Sequence, residues 1–98
     1  MKDQERLLRR FGKVYRTDSF VFREGEQGRE MYYILSGRIR VEKCTGPIRK
    51  ILTEMGPGEY FGEMALLADM PRTASAVAVE DSIIAVIDEE TFHRLLLQ

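Results

Sequence analysis

Glu63 and Arg72 are the two side chains whose types and setting point to chemistry. They belong to one compact stretch, Phe61-Gly62-Glu63-Met64-Ala65-Leu66-Leu67 followed by Pro71-Arg72-Thr73-Ala74-Ser75-Ala76. An arginine presents a planar fork of donors that matches phosphate oxygens. An ionised carboxylate only accepts hydrogen bonds, so Glu63 suits a sugar hydroxyl and not a phosphate. Met64 to Leu67 is a short helix-prone run, and the free N–H groups at its start, those of Met64 and Ala65, would attract an anion. Gly62 lets the backbone pass close to a ligand or take positive φ. Ala74, Ser75 and Ala76 are small and leave room for close approach. These groups together describe a pocket for a phosphorylated sugar.

Each residue also has a plainer reading. Arg72 would be a surface arginine in a turn after Pro71, and Glu63 a first-turn acid that complements a helix dipole. Gly62 would mark a corner of a β-roll, and Met64 would be core.

The stretch closely resembles the phosphate-binding cassette of cyclic nucleotide-binding domains. That family includes the regulatory subunits of cyclic-AMP-dependent kinase and the bacterial catabolite activator. Gly25-Glu26-Gln27-Gly28, Met31-Tyr32-Tyr33-Ile34-Leu35-Ser36-Gly37 and Pro57-Gly58-Glu59-Tyr60-Phe61-Gly62-Glu63 resemble the family's glycine landmarks, in the family's order. The resemblance runs over roughly positions 14 to 97. It implies that Arg72 holds the phosphate, together with the N–H groups of Met64, Ala65 and Thr73. It implies that Glu63 takes the ribose 2′-hydroxyl, which is free in a 3′,5′-cyclic nucleotide. Gly62 and Ala74 complete the implied ligand-binding set, and Val41, Leu52 and Met55 would wall the purine. Thr73 is ambiguous between bases: a hydroxyl residue after the arginine resembles cyclic-GMP-preferring sites, yet bacterial cyclic-AMP receptors also accept one. Cyclic AMP is the favoured ligand, cyclic GMP the alternative, and no other cofactor or metal is implied.

The elements that must position these residues are short. Met1 to about Arg10 is rich in helix formers, with Leu7, Leu8 and Phe11 as an apolar stripe and Gly12 as its end. Phe20-Val21-Phe22 reads as a strand, as does Met31 to Leu35. Arg38 to Glu42 alternates with period two. A turn at Cys44-Thr45-Gly46-Pro47 leads into a strand from Ile48 to Leu52. Ala74 to Val79 and Ser82 to Ile87 are two more. Asp88 is a good N-cap for a last helix with Phe92, Leu95 and Leu96 on one face. Many short strands with frequent turns predict a mainly β protein, an antiparallel β-roll or jelly roll. Its N-terminal helix covers 1–12, its β-roll 14–87 with the cassette at 61–76, and its C-terminal helix starts at 88. The whole is one domain over 1–98.

Bulk properties narrow the functional classes. The 98 residues are 44% apolar and 32% charged, which is ordinary for a globular domain of one core. A net charge of −1 argues against broad binding to nucleic acid. Cys44 is a single cysteine, so a reducing compartment, the cytoplasm, is expected. No apolar run approaches the ~20 residues of a membrane helix. A cupin-type metal enzyme needs several histidines, and only His93 exists. No P-loop and no nucleophile elbow is present, so a non-enzymatic role is expected.

Leu95, Leu96 and Leu97 cannot all face one core from one helix. The expectation is a C-terminal helix that continues, or leucines that meet an effector domain or partner helix, with a homodimer as one form. The rival reading is a ligand-free docking or dimerisation module.

Overall fold

Burial on both faces or on one decides how each strand reads. Met31 to Ser36 is apolar almost throughout because Tyr32 and Ile34 face one cluster while Met31, Tyr33 and Leu35 face another. The computed structural model describes residues 2–63 and 70–96. Among these, α1 (Lys2–Leu8) runs into a 3-10 turn (Arg9–Phe11), and α2 (Glu89–Leu96) closes the chain. Between them lie β1 (Gly12–Tyr15), β2 (Phe20–Phe22), β3 (Met31–Ser36), β4 (Ile39–Thr45), β5 (Ile48–Met55), β6 (Tyr60–Phe61), β7 (Ser75–Ala78) and β8 (Ser82–Ile87).

The strands form two four-stranded antiparallel sheets, β1-β8-β3-β6 and β2-β7-β4-β5. The first pairs the two ends of the chain, with Gly12 opposite Ala85 and Tyr15 opposite Ser82. The second sets Phe20 of β2 opposite Val77 of β7. Between the sheets lies a core of Tyr32, Ile34, Ile39, Phe61, Ala76, Ala78 and Ile84, with Phe22, Val21 and Met55 packed against it. A second cluster, Leu8, Met31, Ala85 and Ile87, lies beneath the helices with Phe11, Phe92 and Leu95. Mainly β with flanking helices is therefore the architecture, as expected.

Differences from expectation have local causes. Gly12 does not end a helix in the left-handed region; it is extended (φ −69°, ψ 135°) and opens β1. Only Lys13, Val14, Tyr15 and Arg16 follow it before the Thr17-Asp18 turn, too short a run to show a period. The β4–β5 turn is confined to Gly46-Pro47, and Cys44 and Thr45 belong to β4. β5 runs on to Met55 although its residues are exposed up to Glu54, because its backbone is an edge paired along β4. The expected helix over Met64 to Leu67 lies outside the described residues, as does Leu97.

At the last helix the cap holds. Asp88 Oδ1 accepts from the Thr91 N–H at 2.7 Å, and the Asp88 carbonyl from the Phe92 N–H at 2.9 Å. That N–H keeps the Asp88 carboxyl below its ordinary value. Phe92 and Leu95 turn toward the second cluster, as the stripe predicted.

Candidate functional site

Arg72 is held from both backbone and side chain. Its N–H donates to the Glu26 carbonyl at 2.8 Å, and its carbonyl accepts from the Gly25 N–H at 2.8 Å. The segment after Pro71 is thereby stitched to the loop between β2 and β3. The guanidinium then folds inward, leaving the residue 7% exposed. Nη1 donates to the Gly62 carbonyl at 3.2 Å, and Nη2 to the Glu30 carbonyl at 2.9 Å. Its carbon lies 4.3 Å from the centre of the Phe22 ring and 5.5 Å from that of Tyr32. A cation over aromatic faces, shielded from water, is favourable. Among the described residues it takes part in no ion pair. A buried cation that carries only neutral partners is suited to an anion from outside.

Two glycines permit this packing. A Cβ on Gly28 would stand 2.7 Å from Arg72 Nη2. Gly62 has φ +77°, and a Cβ there would come within 3.0 Å of Arg72 Nη1 and 3.1 Å of the Tyr32 ring. A side chain at either place displaces the guanidinium. Burial raises the Tyr32 hydroxyl to about 12, against the opposing pull of Arg72. Tyr32 therefore stays neutral at physiological pH.

A cavity of about 300 Å³ opens beside Arg72. Phe61, Gly62 and Glu63 line one side and Met70 to Ala74 another, with Phe22 and Val41 beneath. Of the residues read from sequence, Val41, Gly62, Glu63, Arg72, Thr73 and Ala74 meet here. Glu63 is exposed and Arg72 is buried, so the cavity has a wet acidic end and a sheltered basic one. Met64 and Ala65 lie outside the described residues.

Leu52 is not brought to the cavity. It is 49% exposed. Val41 pairs with Thr53 and Glu42 with Ile51, which leaves Leu52 as the unpaired residue of a bulge. Met55 packs against the intersheet core instead of lining the cavity. Ala76 is buried in that core, so its small size serves sheet packing. Phe22, Met70 and the Glu30 carbonyl belong to the site without having been read from the sequence. Alternation alone would put both phenyl rings of Phe20-Val21-Phe22 on one face. The β2–β7 register shifts between Phe20 and Phe22, and Phe22 packs inward while Phe20 stays exposed.

The family model for the cyclic nucleotide-binding domain matches residues 12–98. The chain belongs to the cyclic nucleotide-binding domain family. A cyclic nucleotide is the ligand of that domain family. Among curated relatives is a cAMP-dependent protein kinase regulatory subunit of Debaryomyces hansenii, 39% identical over 84 residues. That match takes in 86% of this chain and 18% of the relative. The cGMP-dependent protein kinase 2 of Homo sapiens is 34% identical over 85 residues, 84% of this chain and 11% of that protein. The chain thus spans less than a fifth of either relative. Among solved structures, the catabolite activator protein of Thermus thermophilus superposes with a TM-score of 0.86 at 32% identity. There the likeness covers 99% of this chain and 47% of the other. The β-roll expected from the cassette and glycine landmarks is the fold of this family member.

Proposed function

We propose that this domain binds a 3′,5′-cyclic nucleotide in the Glu63–Arg72 cavity and acts as the sensing part of a larger regulator. The observation that carries the reading is the sheltered Arg72 guanidinium, free of carboxylate partners among the described residues and facing a cavity it shares with Glu63. A cyclic phosphate is a monoanion, and it takes the remaining donors of Arg72 together with the Thr73 N–H. Met64 and Ala65 supply further N–H groups in the same reading. Glu63, at the wet end, accepts from the ribose 2′-hydroxyl. The purine lies along the apolar lining that includes Val41. In this reading the ligand is cyclic AMP. Relatives named for each nucleotide lie within five percentage points of identity of one another, so the titration includes both.

Regulation in this reading is a population shift. A ligand moves an equilibrium only by its different affinity for the two arrangements. The moving part is α2, which sits on the second cluster through Phe92 and Leu95. Through the C-terminal leucines, α2 meets an effector domain or a second copy. The domain itself is regulatory, not catalytic, and works in the cytoplasm.

Calorimetric titration with cyclic AMP and cyclic GMP tests the reading, alongside thermal melting. Binding to the native state alone adds about 2.7 kcal/mol at a hundredfold excess over Kd. An unchanged melting temperature at millimolar nucleotide would refute it and favour a ligand-free docking module.

A further inference from the structure

Lys43 stands outside the cavity lining, yet its amine reaches the loop that carries Arg72. Nζ donates to the Thr73 carbonyl at 2.9 Å and lies 3.4 Å from Glu24 Oε2. Glu24 is itself fastened three ways. Its N–H donates to Ser75 Oγ at 2.8 Å, Oε1 accepts from the Cys44 N–H at 3.3 Å, and Oε2 faces Lys43. Lys43 sits directly opposite Lys50 on β5, and like charges so placed disfavour the pairing. Glu24 offsets that repulsion and aims the amine at Thr73.

The consequence follows from peptide geometry. In a trans peptide the C=O and N–H point to opposite sides, and no cis bond is present among the described residues. The Arg72 carbonyl is taken by the Gly25 N–H, and the Thr73 carbonyl by Lys43. Two successive peptide planes are thus fixed through their oxygens. The N–H groups of Thr73 and Ala74 are turned away from those partners. Neither has an acceptor among the described residues, and both residues line the cavity.

We infer that Lys43, oriented by Glu24, is a positioning residue for the ligand's phosphate: it locks the Thr73–Ala74 peptide so that consecutive amide donors face the anion. It touches no ligand itself. The inference rests on the proposed cyclic nucleotide site and names a residue that the site's lining does not include. Donors held in place before the ligand arrives need no reorganisation on binding.

The test is K43M, K43R and E24Q in this 98-residue chain, titrated with both cyclic nucleotides at low and high salt. K43M should weaken both nucleotides by the same factor, about threefold to tenfold for one partly exposed charged donor. K43R, which keeps a donor, should recover most of the loss, and E24Q should show a smaller one. The loss should persist at about 0.5 M salt, where a hydrogen bond survives and long-range attraction is screened. The Thr73 and Ala74 amide resonances of unliganded K43M should move while the melting temperature holds within a few degrees. Should K43M fail to fold, K43A, which also lacks a donor, gives the same reading. Equal binding by wild type and K43M would overturn the inference and leave the site standing. A loss that vanishes at high salt would overturn it too, since Lys43 would then act only as surface charge. If the wild type binds neither nucleotide, the proposed function falls and this inference with it.

Discussion

Replacing Arg72 by alanine separates two roles of one side chain. Without ligand, the guanidinium donates to the Gly62 and Glu30 carbonyls at 3.2 and 2.9 Å and covers the Phe22 ring at 4.3 Å. Water can reach part of what it vacates, because the cavity is open to Glu63, so the two carbonyls do not stay wholly unpaired. The net cost to stability is then ~1–2 kcal/mol, below the sum of two fully lost charged hydrogen bonds. For a domain of this size that lowers the melting temperature by about 5–15 °C. Binding suffers more. Removing one partner of a sheltered charge pair costs ~2–5 kcal/mol, a loss of about thirtyfold to several thousandfold in affinity. Wild type at a hundredfold excess of cyclic AMP over Kd should gain about 10–20 °C, and R72A at the same concentration little or nothing. R72K should lie between, since an ammonium keeps the charge but cannot bridge both carbonyls. Calorimetry and melting curves on the three proteins read all of this. An R72A domain that binds cyclic AMP within threefold of wild type would refute the placing of the phosphate at Arg72.

Three further outcomes are expected. Glu63→Ala, which removes the acceptor, should weaken cyclic AMP by about tenfold to a hundredfold and erase most of the preference over its 2′-deoxy analogue, compared by competition binding; an undiminished preference would move the ribose elsewhere. Gly28→Ala places a methyl 2.7 Å from Arg72 Nη2 and should cost about tenfold in affinity while the fold, read by circular dichroism, stays intact. Asp88 has its carboxyl held below its ordinary value of 3.8 by the Thr91 N–H, so its support for α2 is present above that value and fades as pH falls through the lowered one; amide exchange in α2 should quicken over that acid range in wild type, and D88N should lose this dependence.

Neighbourhoods were legible in the sequence where a residue's type alone implies its surroundings. Gly62, Glu63 and Arg72 were read as parts of one site, and Gly28 as one of the glycine landmarks. The structure sets Gly62, Glu63 and Arg72 around one cavity, with Gly28 against the guanidinium. Ser82–Ile87 was legible because its neighbours Glu80 and Asp81 end one strand and Asp88 starts a helix. Position along a strand was harder. Leu52 falls at a bulge, and one inserted residue turns it from the face that Val41 occupies. β6 is two residues long, Tyr60–Phe61, and exists through its pairing with Tyr32 and Tyr33, which local composition cannot report. Lys43 and Glu24 look like ordinary surface charges until β4 and the loop after β2 are brought side by side.

The order of strand pairing bears on how this domain is made in a cell. β1 closes on β8 and β2 on β7, so the first strands synthesised wait for the last. The β2-β7-β4-β5 layer is not complete until Ala78 has left the ribosome, nor the β1-β8-β3-β6 layer until Ile87 has, and the nascent chain before then displays Ile34, Ile39 and Phe61 uncovered. Assembly is therefore a late, concerted event dominated by contacts distant along the chain, which places it among slow, millisecond-to-second folders.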